Sequence, residues 1–214
     1  MRRHAFRLVW LLVALLGLSI TPARAEVIFV ADLTNDEEPG VIVPTNSDGT
    51  ARPISSGEGR FVLNDDETEL SMVVTVLNID VTGTQTPDAN DNLIAAHIHA
   101  GVLSPAGTAG VRWGFFGSPF NDTLSPSLVM TPFASGVGGV FVSVWNQPEG
   151  NGGTNLTAQL PNLFAELAYI NFHTVQFGGG EIRGTLRVVP EPGSLALALL
   201  CGGLMLLVYG RRRA

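Results

Sequence analysis

The sequence predicts an all-β fold in a single domain, and three observations carry that expectation. Short runs alternate apolar and polar residues with a period of two, the pattern of half-buried strands. Stretches rich in Gly, Pro, Asn and Ser separate those runs and read as turns and loops. The stretch between the two apolar chain ends holds about 165 residues, enough for one β-sandwich core and too few to suggest two domains. No heptads and no repeat of fixed period compete with this reading.

The first strand places Val27, Phe29, Ala31 and Leu33 against Ile28, Val30 and Asp32. Residues 34–58 are polar and Gly/Pro-rich, a long surface connection. Arg60–Leu63 and Glu69–Leu77 flank Asn64–Thr68 as a hairpin, with Leu70, Met72, Val74 and Val76 facing inward. After a polar connection over 80–92, Ile94–Gly101 alternates again, with His97 and His99 opposite the isoleucines. Residues 101–138 read as long loops around one short strand, Val111–Phe116. Gly139–Trp145 is a strand with Val140, Val142 and Val144 on one side, and 146–155 is a Gly/Asn loop. Pro161–Leu167 reads as a short helix, with Pro161 near its start and Leu163 and Leu167 one turn apart.

Ala168–Leu186 is the stretch around which the rest is arranged. Ile170 and Phe172 alternate with Tyr169, Asn171 and His173. After Gly178–Gly180, Ile182, Leu186 and Val188 share one face, with Glu181, Arg183, Thr185 and Arg187 on the other. All three histidines between the chain ends thus lie on polar strand faces.

The segments AAHIHAG at 95–101, YINFHT at 169–174 and GGGEIRGTL at 178–186 resemble signatures of the CHRD domain, named after chordin. Glu38-Pro39 and the strand start at Gly59–Phe61 resemble its N-terminal part. The resemblance implies an immunoglobulin-like β-sandwich with distant similarity to copper–zinc superoxide dismutases, and it implies no defined biochemical role.

The chain ends carry sorting information. Residues 1–25 combine Arg2, Arg3 and Arg7, an apolar run and Ala23-Arg24-Ala25, which reads as a secretory signal peptide cleaved between Ala25 and Glu26. At the other end, Pro190-Glu191-Pro192 precedes a short apolar run ending at Tyr209, then Arg211–Arg213. The apolar run forms a marginal membrane helix whose basic end stays cytoplasmic. That order resembles the PEP-CTERM sorting signal, which implies processing by an exosortase and delivery to the cell surface or extracellular matrix. The expected organisation is therefore a signal peptide at 1–25, a CHRD sandwich at 26–188 and a sorting signal at 189–214.

Residues 26–192 hold five arginines and all nineteen acidic residues, and no lysine, so five minus nineteen leaves a charge of −14. Such a charge disfavours nucleic acid and anionic lipid, and leaves membrane contact to the C-terminal helix before processing. The expected partners are the exosortase and matrix polysaccharide or surface proteins. Cys201, the one cysteine, lies in the sorting segment, so no disulfide forms within the domain.

The chemical candidates are few. An H-x-H pair on a strand directs both imidazoles one way, about 6.6–6.8 Å apart, toward one ion. If His173 lies on a neighbouring strand, His97, His99 and His173 form a patch with Asn171, Glu181 and Arg183. Three histidines plus water, or plus Glu181, suit zinc or copper. Dismutase chemistry needs a fuller ligand set than this. The alternative is a hydrogen-bonded histidine network with no cofactor. Glu181 and Arg183, two apart, are expected to pair or to meet charges across the sheet. Thr86–Asn92 looks like a calcium loop but has Leu93 and His99 where such a loop needs Gly and Glu. There is no G-x-S-x-G, P-loop or H-E-x-x-H motif. The leading expectation is a non-enzymatic binding or structural module, and the alternative is a metal-dependent protein, either a metal-binding factor or a weak redox enzyme.

Overall fold

A computed structural model describes residues 26–104 and 106–190. The signal peptide and its cleavage residue Ala25, most of the sorting segment with Glu191 and Pro192, and the apolar helix expected there lie outside the described residues. Among the described residues no helix is long and apolar enough to cross a membrane.

The chain folds as one curled, all-antiparallel sheet. In chain order the strands are β1 (Val27–Thr34), β2 (Ser56–Leu63), β3 (Glu69–Leu77), β4 (Leu93–Ala100), β5 (Val111–Phe116), β6 (Val129–Pro132), β7 (Gly138–Asn146), β8 (Ala168–Thr174), β9 (Ile182–Thr185) and β10 (Arg187–Val188). Among the described residues one helix, α1 (Leu156–Phe164), precedes β8. The spatial order is β5-β4-β8-β9-β1-β2-β3-β7-β6, with β10 beside β1. The curl brings the two ends of that order face to face. Trp113 on β5 stacks on Trp145 of β7 at 5.6 Å, and Phe115 meets Phe141 edge-on at 6.3 Å. The core these aromatics fill includes Phe29, Leu33, Phe61, Leu70, Met72, Val74, Ile98, Ile170, Phe172, Ile182 and Leu186. The alternation read along β1, β3, β8 and β9 therefore selects the buried face, because a period of two sends every second side chain to the same side.

Four features differ from the sequence reading. The helix starts at Leu156, five residues before Pro161, because the Asn155 side chain accepts from Ala158 N–H and caps it there. Pro161 therefore sits inside the helix, and Leu167 lies beyond it, partly exposed. Strand β6 falls where the sequence predicts a loop; it is four residues long and pairs with β7 at the end of the sheet. On β7 the buried face carries Phe141, Ser143 and Trp145, leaving Val142 on the solvent side. Finally, Ile94 is 44% exposed while Ile98 is buried, since a register shift between Leu93 and Ala95 breaks the alternation between them.

The turn resembling a calcium loop serves as a brace. Asp88 accepts from the Ser47 amide and hydroxyl, and Asp91 accepts from the Thr86 hydroxyl, tying the 45–51 and 86–91 loops into one unit.

Candidate metal centre

Strands β4 and β8 are direct neighbours, and their register decides which polar side chains meet. His97 lies opposite Asn171, His99 opposite Tyr169, and His173 opposite Ala95. His97 is therefore the diagonal neighbour of His173, with ring centroids 4.9 Å apart, and His99 follows one pair further along, its ring 6.0 Å from that of His173. Each residue offers a ring nitrogen, and these three atoms all lie within 4.8 Å of one another. Bonds of about 2.0–2.1 Å to one tetrahedral ion set such nitrogens about 3.3–3.4 Å apart, so the widest pair would close by up to about 1.5 Å on binding.

This face is not solvated. Every residue of β8 is buried, and His97, His99 and His173 are only 5%, 8% and 7% exposed. Loops cover them and supply backbone carbonyls. His97 Nε2 donates to Ser118 O at 3.0 Å, His99 Nδ1 to Ala109 O at 2.9 Å, and His173 Nδ1 to Gly178 O at 3.1 Å. A carbonyl only accepts, so each of these nitrogens carries the ring proton. The remaining nitrogens, Nδ1 of His97 and Nε2 of His99 and His173, present lone pairs. Nδ1 of His97 and Nε2 of His173 stand 3.2 Å apart, and Nε2 of His99 is buried and accepts no hydrogen bond.

Burial also keeps the rings neutral. It lowers His99 and His173 to about 4, helped by the neighbouring histidines, and lowers His97 as well. Neutral imidazole is the form that ligates metal. Ring orientation is fixed from behind: Tyr169 stacks on His99 at 4.8 Å with planes 6° apart, and its hydroxyl accepts from Ala109 N–H. Arg183 lies over the Tyr169 ring at 4.7 Å.

The structure separates the residues expected to share this patch. Asn171 and Arg183 lie side by side in the row containing His97. Glu181 does not join them, and it does not pair with Arg183. Its carboxylate is fully buried on the other side of the turn, held by Arg52 at 2.5 and 2.7 Å, Thr174 at 2.6 Å and the Ser55 hydroxyl. The reason is the turn: Glu181 precedes the first paired residue of β9, so the strand alternation does not govern it. It is thus unavailable as a fourth ligand. Arg183 instead donates to the carbonyls of Glu37 and Gly107, pinning the two covering loops.

Glu38 is the site residue that sequence reasoning missed. It is 6% exposed and neighbours both Arg183 and the Asn171 amide. Burial pushes its carboxyl up to about 7 against the lowering pull of those two groups. Glu38-Pro39 was legible only as a family signature, and nothing local in the sequence brings it to β8.

The family model of the CHRD domain matches residues 29–186, covering all of β2 to β9 and with them every histidine of the cluster. The chain belongs to the CHRD family. The histidines, Asn171 and the glycine turn are therefore parts of a CHRD domain, and the sheet order above is how this CHRD chain brings them together. A second family model, the PEP-CTERM protein-sorting motif, matches residues 188–213. The protein is accordingly an exported CHRD β-domain sorted by way of an exosortase. No curated protein and no solved structure matches it.

Proposed function

We propose that this exported domain is a metal-binding module of the cell surface or extracellular matrix, holding a zinc or copper ion on His97, His99 and His173. One observation carries the reading. Two buried, neutral imidazoles direct lone pairs at each other across 3.2 Å, while their protons are committed to backbone carbonyls. Facing lone pairs repel, and a cation between them turns repulsion into two bonds. The carbonyl on the far nitrogen of each ring is the outer support that metal-ligating histidines use to fix tautomer and raise basicity. Three imidazoles suit zinc and copper alike. The role is ion binding rather than catalysis, with surface proteins or matrix polysaccharide as the domain's partners.

Metal analysis of the protein recovered from its native surface or medium tests this. About one equivalent of zinc or copper should survive dialysis, and the His97→Ala/His99→Ala protein should hold none. A wild-type protein that carries no metal and takes up neither ion would leave only the structural module. Intact mass on the same sample should show loss of Arg211–Arg213, as exosortase processing requires.

A further inference from the structure

Three imidazoles leave a tetrahedral ion one position short, and the residue beside the cluster has an unmet need of its own. Asn171 lies opposite His97 on the neighbouring strand and two residues from His173 on the same face, so its side chain stands between them. It is 2% exposed, and its Oδ1 accepts no hydrogen bond. Glu38 Oε1, also buried, accepts none either. Both oxygens border one small space. A Cβ built on Gly180 would lie 2.5 Å from Glu38 Oε1, 2.6 Å from Asn171 Nδ2 and 2.7 Å from Asn171 Oδ1, so any side chain there would displace one of them. Gly180 also has φ of +128°, a conformation that suits glycine. Asn171 Nδ2 borders the same space and bonds the Glu38 carboxyl, yet these two buried oxygens are left without a donor, a costly arrangement unless one enters.

Resting on the metal reading above, we propose that Glu38 and Asn171 hold a water that completes the coordination of the ion on His97, His99 and His173. A metal-bound water has two O–H groups to donate, and the two oxygens supply one acceptor for each. The carboxylate also places a negative charge near an ion whose three direct ligands are neutral. Glu38 and Asn171 are positioning residues here, acting on the ion through its water.

The experiment measures Co2+ and Zn2+ affinity by competition with a chromophoric chelator, on the whole exported chain, for the wild type, Glu38→Gln and Asn171→Ala. Each variant should bind about 10–100-fold more weakly, as loss of an outer partner does. The visible spectrum of the Co2+ form should change with it. The metal-free melting temperature of Glu38→Gln should stay level or rise, because the change removes a buried charge. That separates the proposal from a purely structural role, which would lower the metal-free melting point and leave metal affinity alone. Unaltered affinity and Co2+ spectrum in Glu38→Gln would overturn the proposal while leaving the three-histidine site standing. Failure of the wild type to bind either ion would overturn both.

Discussion

The part of the sheet formed by β4, β8 and β9 is buried on both faces, whereas the part formed by β1, β2, β3 and β7 turns one face to solvent. On the second part Val30, Val73 and Val142 lie in one cross-strand row and are 41%, 50% and 43% exposed. On the first, the corresponding outward row carries His97, Asn171 and Arg183, with the first two buried. Apolar residues thus lie in water and polar ones lie in the interior, the reverse of what their transfer energies favour. Loops make the difference. The segments near Pro39 and Gly107 meet over the histidine face, and Arg183 ties both down. Polar side chains sealed under loops must satisfy one another or a ligand, which is why the candidate site lies there.

The largest expected effects come from the doubly covered part. Glu181→Ala leaves the Arg52 charge buried without its partner and should destabilise by about 3–5 kcal/mol. Phe172→Ala opens a cavity beneath β8 and should cost about 3–5 kcal/mol. Urea unfolding of both variants checks this. A loss below 1 kcal/mol for either would mean that this part is no more tightly packed than the other.

Metal comes next. At a free-ion concentration 100 times the Kd, binding should stabilise the protein by about 2.7 kcal/mol. His97→Ala/His99→Ala should show no such gain, read as a melting temperature that chelator does not change. A chelator-sensitive melt in the double variant would place the ion elsewhere.

The pH profile is the third contrast. His99 and His173 fall from 6.5 to about 4 in the folded chain, so the unfolded chain binds more protons between those values. Their contribution is complete above about 6.5 and is lost as pH falls toward about 4. Glu38 runs the other way. Raised from 4.5 to about 7, it contributes fully below 4.5 and loses that contribution as pH rises through about 7. Melts of the metal-free protein from pH 4 to 8 should therefore weaken on the acid side, where two histidines outweigh one carboxyl. In Glu38→Gln the decline toward pH 7 should vanish. A wild-type profile flat between 6.5 and 4 would show that the histidine face is solvated after all.

The smallest effect belongs to the open part. Val73→Thr should change stability by no more than about 0.5 kcal/mol, since its side chain already meets water. A larger loss would mean that something covers this face too, and the contrast between the parts would fail.

Strand existence and facing are properties of the local sequence, because a period of two depends only on neighbouring residues. The alternation at Ile170, Phe172, Ile182 and Leu186 identifies core positions without knowledge of partners. The shared parity of His97, His99 and His173 is likewise written in the chain, as are the Pro-Glu-Pro and arginine signals at its end. Neighbours are another matter. That β4 pairs with β8, 76 residues from His97 to His173, is decided by sheet order, and no local pattern encodes it. The same holds for Glu181, whose sequence spacing suggests Arg183 but whose partner, Arg52, is 129 residues away. Glu38 and the carbonyls of Ala109, Ser118 and Gly178 reach the cluster from loops, where the backbone follows no period. Burial of the polar face is decided the same way, by loops that fold back over it. A sequence can show which side of a strand a residue takes, but only the closed structure sets which groups share that side and whether water reaches them.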